Sequence, residues 1–123
     1  MAPAAVSLAA RPLADGRVEL ELVATARGDL DDLILELHLP AGVRYAGGEL
    51  VRPVGRMATG DTARLVAWTQ PGAGVVIGGA RLRGGGVRGA VTTSVSLGER
   101  AARPAARERV LATPFGAVTE VRQ

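Results

Sequence analysis

The chain reads as an all-β, antiparallel β-sandwich of about seven to nine strands with a C-terminal tail or hairpin, and three observations carry that reading. Apolar and polar residues alternate with a period of two along much of the chain, the pattern of half-buried strands. Turn sequences recur at about ten-residue spacing: Ala14-Asp15-Gly16, Arg27-Gly28-Asp29, Pro40-Ala41-Gly42, Thr59-Gly60-Asp61, Pro71-Gly72 and Gly84-Gly85-Gly86. A length of 123 residues suits one domain with a modest core, against a prior of roughly 100 to 200 residues per domain.

In chain order, residues 6–8 form a short edge strand. Arg17-Val18-Glu19-Leu20-Glu21-Leu22 then puts Val18, Leu20 and Leu22 on one face and two glutamates on the other. Residues 33–39 repeat the pattern with Leu33, Leu35, Leu37 and Leu39 inward, and Pro40 closes it. Residues 43–45 and 50–54 fit edge strands, because Pro53 has no place in a central ladder. Residues 62–69 set Leu65 and Ala67 against Arg64, Val66 and Trp68. Residues 75–83 and 87–97 supply two more strands, the second with Val91, Thr93, Val95 and Leu97 in phase. The only helix candidate is 98–109, where Pro104 interrupts an Ala-rich, charged run, so this part is expected to be a linker or broken helix. Residues 110–113 and 117–121 flank Pro114-Phe115-Gly116 as a final hairpin or strand pair. The expected partition is a sandwich over 1–98 and a tail over 99–123 that packs on the sandwich or on a partner.

All 15 basic residues are Arg, beside 22 Ala, 17 Gly and no Lys, Asn or Cys. Ala, Gly and Arg draw on GC-rich codons and Lys and Asn on AT-rich ones, so the arginines record coding bias before they record a basic function. The net charge is only +3. It is unevenly spread: residues 1–62 hold six Arg and nine acids, net −3, and residues 63–123 hold nine Arg and three acids, net +6. That split marks either a polar binding face or strands that neutralise one another within one domain.

The inventory for chemistry is thin. Without cysteine there is no disulfide framework, thiolate metal site or cysteine nucleophile, and with one His a closed zinc site is excluded. His38 shares its strand face with Ile34 and Glu36, the setting of a partly exposed sheet residue rather than a catalytic base. Asp29, Asp31 and Asp32 are the calcium candidate, since hard cations want clustered oxygens, but they lack the spacing, Gly and closing Glu of an EF-hand loop. Gly72-Ala73-Gly74-Val75-Val76-Ile77-Gly78 echoes a dinucleotide motif without the helix that must follow it, and a phosphate loop needs a lysine the chain lacks. An enzyme reading rests only on carboxylate pairs among Asp29, Asp31, Asp32 and Glu36. No catalytic residue and no cofactor is therefore expected. Arg64, Arg81, Arg83 and Arg88 are the anion- or partner-binding candidates, a basic strip on a sheet face. With Tyr45, Trp68 and Phe115 as the only aromatics to stack bases, nucleic acid is disfavoured as the ligand.

Leu37-His38-Leu39-Pro40-Ala41-Gly42-Val43-Arg44-Tyr45, followed by Gly55-Arg56-Met57-Ala58-Thr59-Gly60-Asp61-Thr62-Ala63-Arg64-Leu65, resembles bacterial extracytoplasmic immunoglobulin-like domains of the conserved-repeat and adhesion-associated type. The likeness covers about residues 4–97. It implies an immunoglobulin-like sandwich acting as a non-catalytic spacer or adhesive module in the periplasm or at the cell surface. Those domains are usually rich in Thr, Asn and Asp, occur in tandem and follow a signal peptide, whereas this chain is rich in Ala and Arg. No cationic segment leads into an apolar core near Met1, which fits a mature chain freed of its signal and leaves a cytosolic location open. No apolar stretch is long enough for a membrane-spanning helix. The leading expectation is a module that binds another protein or itself through an edge strand, with the 110–121 segment adding to a neighbour's sheet. The alternative is an anionic polymer, polysaccharide or nucleic acid, held on the arginine face.

Overall fold

The structure, a computed structural model, describes residues 3–98, 107–112 and 117–122. The strands are β1 (Ala4–Pro12), β2 (Val18–Ala26), β3 (Asp32–His38), β4 (Tyr45–Gly48), β5 (Val51–Pro53), β6 (Thr62–Thr69), β7 (Gly74–Gly84), β8 (Val87–Leu97), β9 (Arg107–Ala112) and β10 (Ala117–Arg122). They form two antiparallel sheets, ordered β1-β2-β6-β4 and β10-β9-β8-β7-β3-β5. Across the interior β1 packs on β8 and β7, β2 on β7 and β3, and β6 on β3. The molecule is therefore a β-sandwich. Its order β1-β2-β6-β4 over β8-β7-β3 is that of the constant-type immunoglobulin sandwich, with β5 added to the free side of β3.

Period-two alternation explains the core directly. Leu20, Leu22 and Ala24 of β2, Leu33, Leu35 and Leu37 of β3, Leu65 and Ala67 of β6, and Val91, Val95 and Leu97 of β8 point inward, nearly all of them fully buried. Val6 and Leu8 of β1 and Val76, Ala80 and Leu82 of β7 complete an aliphatic interior. At about 25 cal/mol per Å² of apolar surface removed from water, this interior is the main force holding the sheets together.

Two local expectations are corrected. The strand expected at 43–45 starts at Tyr45, because the buried Val43 closes a turn by donating its N–H to the Pro40 carbonyl at 3.0 Å. The ladder to β6 then carries a register shift between Tyr45 and Gly47, and the Trp68 ring lies over Gly47 and Gly48, where a Cβ would stand 3.4 and 3.1 Å from the ring. The helix candidate 98–109 ends in strand, since residues 107–109 open β9, whose ladder holds Ala90 to Leu111 and Ser94 to Arg107. Residues 99–106 lie outside the described residues. The terminal hairpin expected at 110–121 is present as β9 and β10, and it lengthens the sheet of β8.

Candidate functional site

The outer face of the larger sheet gathers most of the residues singled out in the sequence. Alternation that turns Leu33, Leu35 and Leu37 inward turns Asp32, Ile34, Glu36 and His38 outward on β3, and the same phase turns Arg81 and Arg83 outward on the adjacent β7. Glu36 lies opposite Gly79, which has no side chain to fill the space. Its carboxylate is diagonal to Arg81 and bonded to that guanidinium, and its other oxygen lies 3.2 Å from His38 Nε2. Glu36 is thus held from both sides, with 14% of its side chain exposed against 64% for His38.

Arg83 and Arg88 are brought together by the two-residue turn Gly85-Gly86. Gly85 and Gly86 have φ of +58° and +79°, the all-positive pair that a two-residue hairpin needs to match strand twist. That turn fixes the register of β7 and β8 so that Arg83 stands directly opposite Arg88. The Arg83 carbonyl accepts from the Asp31 N–H at 2.7 Å and so points toward β3, away from β8. Arg83 and Arg88 therefore form a non-hydrogen-bonded pair, the kind in which facing side chains lie closest. They open onto a depression of about 400 Å³ with Asp32, Ile34, Arg81 and Ala90 in its lining.

Arg64 does not belong to this face. It projects from β6 on the opposite sheet and is bonded to Glu21 of β2, so the expected four-arginine strip is divided between the two outer surfaces of the sandwich. The acidic cluster is not one ligand set either. Asp29 Oδ1 accepts from both the Thr59 N–H and the Thr59 hydroxyl, each at 3.0 Å. Those two bonds, the backbone one first, hold the Asp29 carboxyl below the ordinary aspartate range. Asp32 instead enters the depression beside Arg83. Among the described residues no three His, Asp or Glu side chains group as metal ligands. Of the four acids on which an enzyme reading rested, only Asp32 lines the depression, so no two of them share it.

Compared with known proteins, the chain matches no family model and no curated sequence. The pairing of Arg83 with Arg88 was implicit in the sequence, because a Gly-Gly turn places the residues five apart on either side of it in register. What the alternation could not show is that Asp32 joins them, since the place of β3 beside β7 is a matter of sheet order.

The sheet edges form the second candidate surface. A sandwich presents unpaired N–H and C=O groups at each edge, and exposed edges recruit other strands unless they are blunted. On one flank, β5 is three residues long and ends in Pro53, while β4 is four residues long, shifted in register and ends in two glycines with positive φ. On the other flank, β1 packs over β8, so β9 and β10 extend beyond it by two strand spacings, roughly 10 Å.

Proposed function

We propose that the protein is a non-catalytic interaction module that assembles with a second copy, or with another protein, by backbone pairing along β10. The observation that carries this reading is the inequality of the four sheet edges. β4 and β5 are blunted, and β1 is recessed behind an overhang that obstructs a flat approach by another sandwich. β10 is outermost, six residues long, free of proline and rich in the β-branched residues Val118, Thr119 and Val121. A strand added there continues the larger sheet without disturbing the core, the mode of β-strand addition. The resemblance to extracytoplasmic adhesion-associated domains agrees with such a role and with a place at the cell envelope, in the periplasm or on the surface.

Native mass measurement across a concentration series tests this. The full chain is expected to pass from its 12.6 kDa monomer to a dimer as concentration rises. Of the variants Thr119→Pro and Glu120→Pro, one removes an N–H that faces β9 and the other an outward one, because pairing directions alternate along a strand. The outward substitution should leave the circular dichroism spectrum intact and abolish the dimer. A chain that stays monomeric at every concentration, or a dimer that survives both substitutions, overturns assembly through β10.

A further inference from the structure

We infer that Arg83 and Arg88 form a binding site for a doubly charged tetrahedral oxyanion, a phosphate or sulfate group, seated in the depression at the root of the β7–β8 hairpin. This reading is independent of assembly through β10. Two like charges directly opposite on neighbouring strands repel, and a cross-strand pair of this kind is destabilising unless something lies between them. Elsewhere on β1 to β8 the strand arginines are matched: Arg11 with Glu19, Arg64 with Glu21, Arg81 with Glu36 and Arg52 with Glu49. Among the described residues neither Arg83 nor Arg88 has a carboxylate within ion-pair distance. The pair is thus a concentrated positive site beside strands β3, β5 and β7, where the other arginines, Arg52 and Arg81, are paired with glutamates.

The chemistry narrows the ligand. Guanidinium groups present planar forks of donors that suit oxyanions, and two of them neutralise a dianion where one would leave half its charge unmatched. Arg81 lines the same depression, but Glu36 already holds it, so it borders the ligand without supplying free charge. Asp32, opposite Arg83 on β3, opposes binding by its charge and opposes a dianion more than a monoanion, so the preference for a dianion rests on the two guanidinium groups together. The depression of about 400 Å³ exceeds what one oxyanion fills, and Ile34 and Ala90 give it an apolar border. Both features suit a phosphate or sulfate carried on a small organic group such as a sugar. No aromatic side chain lines it, so no base-stacking platform accompanies the charge.

Titration at constant ionic strength tests the site, following backbone amide resonances with inorganic phosphate, inorganic sulfate, a hexose 6-phosphate and a hexose 6-sulfate as probes. Saturable shifts confined to residues 81–90 and to Asp32 are expected. Tighter binding of the sugar esters than of the inorganic ions would assign the group to a carried ester, and equal binding would assign it to the free oxyanion. Arg83→Gln and Arg88→Gln should each weaken binding by about tenfold or more, the loss of a charge-assisted hydrogen bond. Asp32→Asn should tighten it a few fold, a change of opposite sign that general damage to the sheet would not give. Arg64→Gln, on the other sheet, should leave it unchanged. Shifts that do not saturate, that spread equally over the surface arginines, or that persist in both Arg83→Gln and Arg88→Gln overturn the site.

Discussion

Gly78 occupies the inner face of β7, where the alternation of the strand calls for an apolar side chain. A Cβ there would stand 2.8 Å from Leu22 Cδ1, 3.3 Å from Leu8 Cδ2 and 3.4 Å from Leu37 Cδ2. Glycine is present because two leucines from the facing sheet and one from the neighbouring strand already fill the space. In an open strand, replacing glycine by alanine stabilises, since it restricts the unfolded chain. Here the sign reverses. Leu22 and Leu37 are themselves buried, so an added methyl must displace core side chains and Gly78→Ala is expected to destabilise the fold by about 1–3 kcal/mol, the range for overpacked cores. Chemical denaturation measures this, and a variant as stable as the parent would show that the interior relaxes around the added methyl. The glycine-rich run 72–78 that superficially echoes a nucleotide-binding motif thus has a packing explanation at Gly78. Gly72 has another, since a Cβ there would meet the Gly42 carbonyl oxygen at 2.2 Å.

At the scale of the elements, connections are held by specific bonds as well as by the burial of Leu30, Val43 and Met57. The link from β2 to β3 is tied to the turn before β6 through Asp29 and Thr59, and the same turn is closed by the Ala58 N–H donating to Asp61 Oδ2 at 2.9 Å. Because the Thr59 donors favour the ionised form, the folded carboxyl of Asp29 titrates below its unfolded counterpart. Its contribution is complete above the unfolded value, near pH 4, and disappears as pH falls through the lower folded value. The melting midpoint of Asp29→Asn should therefore lie below that of the parent by a constant amount above about pH 5, with the gap closing on acidification. A gap that is the same at pH 3 would separate the tie from the charge of Asp29. Asp15, lowered in the same sense by the Arg17 N–H and guanidinium, remains in both proteins and leaves this difference untouched. The strands themselves were legible because Leu20, Leu22, Leu33, Leu35 and Leu37 repeat every second residue, and burial on one face is what that repeat records. β4 was displaced because Ala46, Gly47 and Gly48 carry no strand signal, and their conformation is imposed by β6 and the ring of Trp68. The start of β9 was expected to belong to a linker or broken helix, because Ala and Arg have high local helix propensity and Pro104 interrupts them, whereas its strand conformation comes from pairing with β8, a contact remote in sequence.

Across the whole molecule the split of charge along the chain becomes adjacency in space. The acidic first half supplies β2 and β3, the arginine-rich second half supplies β6 and β7, and the sheets set them side by side, so that Glu21 meets Arg64 and Glu36 meets Arg81. Each such exposed pair is worth at most about 1 kcal/mol, so the pairing selects neighbours more than it stabilises them. The reading of the asymmetry as internal neutralisation holds for these strands, and Arg83 and Arg88 on β7 and β8 stand apart from it. The hairpin of β9 and β10 has a different part in the whole. It covers the edge of β8 from Ala90 to Ser94, and β8 is an eleven-residue strand without proline and with a single charge at Arg88. Four strands of each sheet already enclose core residues from Ala4 to Leu97, so a chain ending at residue 98 is expected to fold and to unfold cooperatively. It would, however, present β8 as a long edge with one charge, at Arg88, the kind that recruits further strands. Light scattering at matched concentration should then rise above that of the full chain, where the outward proline substitution in β10 should lower it. The opposite signs separate two roles of one hairpin, cover for β8 and edge for assembly. A shortened chain that stays monomeric, with its melting midpoint unchanged, would show that β8 needs no cover.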